Sequence, residues 1–213
     1  MRTRTPPKLL ALAALIVSFP CWAADPPGEW EPGEKKQGPG YAYQIFSIQK
    51  EGEQFLRFQV RGTIDAPAEH IQRTASRLST DPARAPEGQK RTVLYKDDDE
   101  TVMLTEIDMP SPVTDRDTVT RGKLTVDSAT GTRRIDFKTA EHASAPAPKP
   151  GVIRLLNTGG YWEFVPDGAE RTKVTSETYV DLGGSLPLWL ISGMMGDNAA
   201  SNFEEVAKES LRK

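Results

Sequence analysis

The last third of the chain limits its fold most. Gly151-Val152-Ile153-Arg154 leads through Gly160-Tyr161-Trp162-Glu163-Phe164 and a strand-like stretch at 172–181 into Gly183-Gly184-Ser185-Leu186-Pro187, after which one long helix runs to the end. A sheet is finished first and a helix is then laid across it. A curved sheet gripping one helix is a way for a small protein to enclose an apolar cavity. Within that helix Leu188, Leu190, Ile191, Met194, Met195, Ala199, Phe203, Val206 and Leu211 share one broad apolar face. Gly193 and Gly196 interrupt it, each costing about 1 kcal/mol in a helix interior. Close backbone approach and flexing of a gate are the two readings of these glycines, and the adjacent Met194-Met195 offers adaptable side chains for an irregular ligand.

Upstream, the pattern is mostly strand. Residues 41–48 and 54–64 form a hairpin about Lys50-Glu51-Gly52-Glu53, with Leu56, Phe58, Val60, Gly62 and Ile64 on one face. Asp65 before Ala66-Pro67 reads as a helix start, and residues 68–78 as an amphipathic helix. Further strands are expected at 91–95, 101–108, 118–126, 133–139, 151–165 and 171–181, with a Pro/Ala loop at 140–150. One early helix and one terminal helix among so many strands describe an α+β domain with an antiparallel sheet.

The front end reads as a signal peptide over residues 1–23. Arg2, Arg4 and Lys8 are basic, residues 9–19 form a run of 11 mostly apolar residues, and Cys21-Trp22-Ala23 presents small residues at the positions a signal peptidase inspects. A bilayer span needs about 20 residues, so a transmembrane anchor is rejected. The alternative, lipid attachment at Cys21, conflicts with the bulky or rigid residues before it. Cleavage after Ala23 leaves no cysteine, so stability rests on packing without disulfides, and a periplasmic or secreted location is expected. Residues 24–40, rich in Pro and Gly, are expected to be a flexible leader, with the domain over 41–213.

Of 27 Lys and Arg residues three leave with the signal, while none of the 30 acids do, so the mature chain is acidic. That balance argues against nucleic acid as a partner. Catalytic machinery is sparse. His70 on the first helix and His142 in the 140–150 loop give neither metal spacing nor a triad, and no Gly-x-Ser-x-Gly, phosphate loop or dinucleotide fingerprint occurs. Neither a metal nor a cofactor is expected, and no catalytic residue is assigned.

Three segments in order, Pro110-Ser111-Pro112-Val113-Thr114-Asp115-Arg116-Asp117, Gly151-Val152-Ile153-Arg154 and Asp181-Leu182-Gly183-Gly184-Ser185-Leu186-Pro187, resemble those of the START (StAR-related lipid transfer) domain family. The resemblance spans residues 41–213 and implies a helix-grip fold: a curved antiparallel sheet wrapped around the long C-terminal helix, with one lipid in a tunnel between them. It implies a cavity acid at Glu106, a cavity arginine at Arg121 and a third polar position at Arg154, with the 140–150 loop moving at the tunnel mouth. Glu106 is in register with Val102 and Leu104, and Arg121 with Val119, so charges share an apolar strand face and a Glu106–Arg121 pair would neutralise both. An exposed cross-strand ion pair is the plainer alternative. Trp162, Leu190, Met194 and Met195 complete the expected ligand wall. The Asp115-Arg116-Asp117 triplet is read as fixing a turn rather than as an acid cluster.

The expectation is therefore an exported, monomeric binding protein that holds one hydrophobic molecule and makes transient membrane contact. The alternatives are a cyclase- or hydrolase-like enzyme in the same cavity, using Glu106 as general acid or base, and an interaction protein whose interior is filled by its own side chains.

Overall fold

The structure, a computed structural model, describes residues 30–49, 55, 57–183 and 188–212, and the side chains of residues 188–192 and 194 lie outside that description. The expected signal peptide falls wholly outside the described residues. Ten strands and two helices follow in order: β1 (Glu31–Gly38), β2 (Tyr41–Ile48), β3 (Arg57–Ile64), α1 (Ala68–Thr80), a 3-10 turn (Pro82–Arg84), β4 (Gln89–Lys96), β5 (Glu100–Ile107), β6 (Arg116–Val126), β7 (Arg133–Thr139), β8 (Ile153–Arg154), β9 (Thr158–Pro166), β10 (Thr172–Val180) and α2 (Leu188–Ser210). They form one open sheet in the order β1-β2-β3-β10-β9-β7-β6-β5-β4, antiparallel along this path, with β8 added parallel to the start of β6. This is the helix-grip arrangement.

The leader expected over 24–40 is corrected in its second half, because β1 pairs with β2 from Glu31↔Ser47 to Gly38↔Tyr41. Its sequence, EPGEKKQG, carries no alternating apolar residues because an edge strand needs only backbone pairing, and its charges protect that edge. The irregularity between Pro32 and Lys35 also belongs at an edge, where a missing N–H is tolerated. The N-terminus of α1 is a second correction. Pro67 occupies the cap position without a side-chain cap, while Asp65 gives its backbone N–H to Gly40 O at 2.8 Å.

One face of the sheet, the inner one, carries the main core. Val60, Ile64, Val174 and Phe164 from β3, β10 and β9 meet Ile71 of α1 and Phe203 of α2, all fully buried. Phe203 sits between Tyr43, 4.9 Å away by ring centroids, and Trp162, 6.4 Å away. Gly62 makes this possible: a Cβ there would lie 2.3 Å from Ala42 O and 2.8 Å from Phe203 Cζ. Tyr43 gives its hydroxyl to Glu204 Oε1 at 2.7 Å, and burial with that carboxylate pushes the phenol pKa strongly upward. The two glycines of α2 differ. Gly196 abuts Phe58, so that a Cβ added there would lie 3.4 Å from its ring, whereas a Cβ at Gly193 would meet open space.

Candidate functional site

Pairing register decides which side chains can meet a ligand, since cross-strand partners share a face. Gln89↔Ile107, Ile135↔Trp162 and Ser176↔Trp162 place these residues on the inner face, under α2. There a cavity of about 210 Å³ opens between the sheet and the helix. Pro86, Ile107, Met109, Phe137, Trp162, Val180, Leu182, Met195 and Ala199 supply its apolar wall. Ser176, Thr178, Gln89, Asn198, Asn202 and Arg91 supply the polar atoms. Asn198 and Asn202 are one helical turn apart on α2, so both face the same way.

Arg91 is the ionisable side chain in this lining among the described residues. Its Nη1 donates to the carbonyls of Leu78 and Ser79, at 3.3 Å each, in the last turn of α1. These are carbonyls a helix leaves without internal partners, and the helix dipole there favours a cation. Burial lowers the guanidinium pKa against a smaller upward pull from Glu205, but an arginine stays charged.

Of the site residues expected from the sequence, Trp162 and Met195 line the cavity. Leu190 and Met194 have side chains outside the described residues. The other six are on the opposite, outer face, and their assignment to the cavity is corrected. Val102, Leu104 and Val119 do cluster, but with Leu94 and with Ala145 from the 140–150 loop, which folds over the outside of the sheet. That loop is therefore not at the cavity mouth. Two-residue periodicity correctly put Glu106 with Val102 and Leu104, and Arg121 with Val119; it could not say which face was the inside.

The Glu106–Arg121 pair does not form. Glu106 lies opposite Asp117 in the β5–β6 register, and Arg121 lies opposite Val102. Glu106 accepts from Lys149 Nζ at 2.5 Å and has Lys90 Nζ at 3.6 Å, and the Lys149 hydrogen bond holds its carboxyl below the ordinary value. Arg121 pairs with Glu100 at 3.6 Å. Arg154 grips the buried Asp117 with both arms, Nε to Oδ1 at 2.5 Å and Nη2 to Oδ2 at 2.8 Å, and Nη2 also reaches Pro146 O at 3.1 Å. These charges fasten the outer loop and β8 to the sheet.

The Asp115-Arg116-Asp117 triplet is a fastening too. Asp115 accepts from the Met109 N–H at 2.9 Å, and the buried Arg116 donates to Thr114 O, to Leu182 O at 3.3 Å and to Gly183 O at 3.5 Å. It thus ties the start of β6 to the segment that leads into α2. Among the described residues no three His, Cys, Asp or Glu side chains are placed to hold a metal. His70 contacts Ser210 O at 3.1 Å, and the His142 ring packs 6.2 Å from that of Tyr95, far apart in the fold.

Sequence reasoning missed Arg91, Gln89, Asn198, Asn202 and the β10 residues Ser176 and Thr178. The available signal was positional. Ile107 is the neighbour of Glu106 on one strand, and the odd-numbered face of β5, with the Gln89 and Arg91 that pair against it, is the one turned to the cavity.

No family model matches the chain. An uncharacterized protein of Pseudomonas aeruginosa is 38% identical over 92 residues, 43% of this chain and 44% of that protein, so the chain matches less than half of that relative's length. Among solved structures, the STAR-related lipid transfer protein of Xanthomonas axonopodis superposes with a TM-score of 0.67 at 20% identity, covering 86% of this chain and 99% of that one. Human STARD10 gives 0.67 at 16% identity, over 85% of this chain and 73% of that one. The Zhui aromatase/cyclase from Streptomyces gives 0.51 at 16% identity, over 72% and 92%. The chain has the START-type helix-grip fold.

Proposed function

From that fold and the cavity beneath α2, we propose that the protein is a binding protein that holds one lipid or lipid-like molecule between its sheet and its C-terminal helix. The observation that carries this reading is the cavity itself: a mostly hydrophobic hollow with a few convergent polar groups is what small-molecule sites look like. Burial of the ligand's apolar surface supplies affinity at about 25 cal/mol per Å² removed from water. The START-type neighbours named for lipid transfer support the same class of ligand. The aromatase/cyclase neighbour keeps catalysis on this fold in view, but Glu106, the residue that reading relied on, faces away from the cavity.

The basic and apolar pattern of residues 1–23 supports export, and with it a monomeric carrier that touches membranes transiently in the periplasm or outside the cell. Organic-solvent extraction of the natively purified protein, followed by mass spectrometry, should recover one amphiphile class in near-equimolar amount. Empty protein in repeated preparations, together with no uptake from lipid vesicles, would overturn the reading. Intact mass of protein recovered from the exported fraction should place the mature N-terminus after Ala23.

A further inference from the structure

Among the described residues, the inward-facing arginines other than Arg91 have their guanidinium groups taken up by protein acceptors. Arg116 also lacks a carboxylate partner, but spends its guanidinium on three backbone carbonyls. Arg91 places only Nη1 on protein acceptors, and among the described residues its Nε and Nη2 have none, nor is a carboxylate at ion-pairing distance. The contrast with the outer face is sharp, where Arg154, Arg134 and Arg121 all have carboxylates. A half-buried cation whose Nε and Nη2 take no protein acceptor, set beside an apolar wall, suits an anion, with which arginine forms paired, charge-assisted hydrogen bonds.

Neighbouring groups fit an anion's surroundings. Gln89 is on the same strand face two residues away, and Asn198 and Asn202 reach the cavity from α2. Carboxamides can donate to an anion without bringing a competing charge. Size narrows the choice further, because about 210 Å³ is below the roughly 300–1,000 Å³ of common ligand sites and leaves room for one chain, not two.

Building on the carrier reading, we infer that the ligand is a single-chain amphiphile with an anionic terminal group, carboxylate or phosphate, bound to the Arg91 guanidinium with Gln89, Asn198 and Asn202 around it and its chain against Ile107, Trp162, Leu182 and Met195. Arg91 is fixed in advance for this role by its bonds to the end of α1, so little rotamer freedom is lost on binding.

The test is calorimetric titration of the full mature chain with dodecanoate, dodecyl phosphate and dodecanol below their micellar concentrations, and with inorganic phosphate alone. At least one of the two anions should bind roughly ten- to a hundredfold tighter than dodecanol, the two arms distinguishing carboxylate from phosphate. Inorganic phosphate should bind far more weakly than either, because the chain supplies the apolar burial. Arg91→Gln should bring the anions down to the alcohol's level; since this variant also loses a helix-end contact, the wild-type ratio decides the matter by itself if the variant does not fold. Dodecanol binding as tightly as both anions, or Arg91→Gln keeping the full preference, overturns this inference while leaving the carrier standing. Failure of all three amphiphiles, with an empty extract from the native protein, overturns the carrier reading and this inference together.

Discussion

Arg154→Ala should destabilise the fold strongly and leave ligand affinity where it was. Asp117 is 5% exposed and its carboxylate oxygens take both arms of the Arg154 guanidinium, at 2.5 and 2.8 Å. Removing one partner of a buried pair leaves the other desolvated and uncompensated, which costs about 3–5 kcal/mol. The Arg154 side chain is 19% exposed, so water can partly reach the vacated space and the lower end, about 3 kcal/mol, is expected. For a domain of this size that corresponds to a fall of about 6–12 °C in Tm. Urea denaturation followed by tryptophan fluorescence measures the loss, and Asp117→Asn with Arg154→Met in a double-mutant cycle separates pair from packing. The double variant should recover much of the stability, because no buried charge is stranded. A loss below about 1 kcal/mol, the range of exposed pairs, would refute the claim that this pair is a buried fastening. A selective loss of ligand affinity in a variant of unchanged stability would return Arg154 to the binding site.

Two further changes test the register. Gly62→Ala would press a methyl group to within 2.3 Å of the Ala42 carbonyl oxygen and 2.8 Å of Phe203, and backbone cannot yield as a side chain can; a loss of about 3 kcal/mol by denaturation is expected, with Phe203→Leu rescuing little of it. Glu106→Gln should cost no more than about 1 kcal/mol at pH 7, since the lysines around it are 70% and 74% exposed. The folded-state pKa of Glu106 is depressed by its Lys149 hydrogen bond, so its contribution is complete above the unfolded value and is lost as pH falls through the folded one. The gap between wild type and variant in urea midpoint should therefore shrink from pH 7 towards pH 3, and a gap that widens on acidification would contradict the assignment.

The fold was legible because its signals are local and repeated. β2 and β7 fall at the residues expected for them, and α1 and α2 are marked by their apolar spacing. Where expectation failed, the deciding contacts were long-range. β1 is written in charged residues and Pro, and only its pairing with β2 makes it a strand. The site failed for a related reason: a strand buried on both faces presents two apolar sets, and periodicity ranks neither. On β5, Val102 and Leu104 face the 140–150 loop while Ile107 faces the cavity, so an acid in register with the former looked like a cavity acid. Arg91 carried no sequence signal beyond its place in a strand, because what distinguishes it, an Nε and Nη2 without protein acceptors among the described residues, exists only in the fold.

Burial on both faces also says where the cavity can and cannot open. The β4–β6 wing is packed on its outside by Ala145 and fastened there by the Arg154–Asp117 and Lys149–Glu106 pairs, and Arg116 clamps the Leu182 and Gly183 carbonyls to the start of β6. Moving that wing would strand buried charges. Gly193 is exposed with open space around its Cα, and Met195 packs against both the main core and the smaller Leu155–Leu182 cluster while lining the cavity. A methionine can keep contact with both clusters through changes of its three side-chain torsions, where a branched residue could not. A ligand entering between Met195 on one side and Pro86 with Met109 on the other would leave the fastened wing undisturbed, and with it Arg91, on β4, in place to receive the polar end.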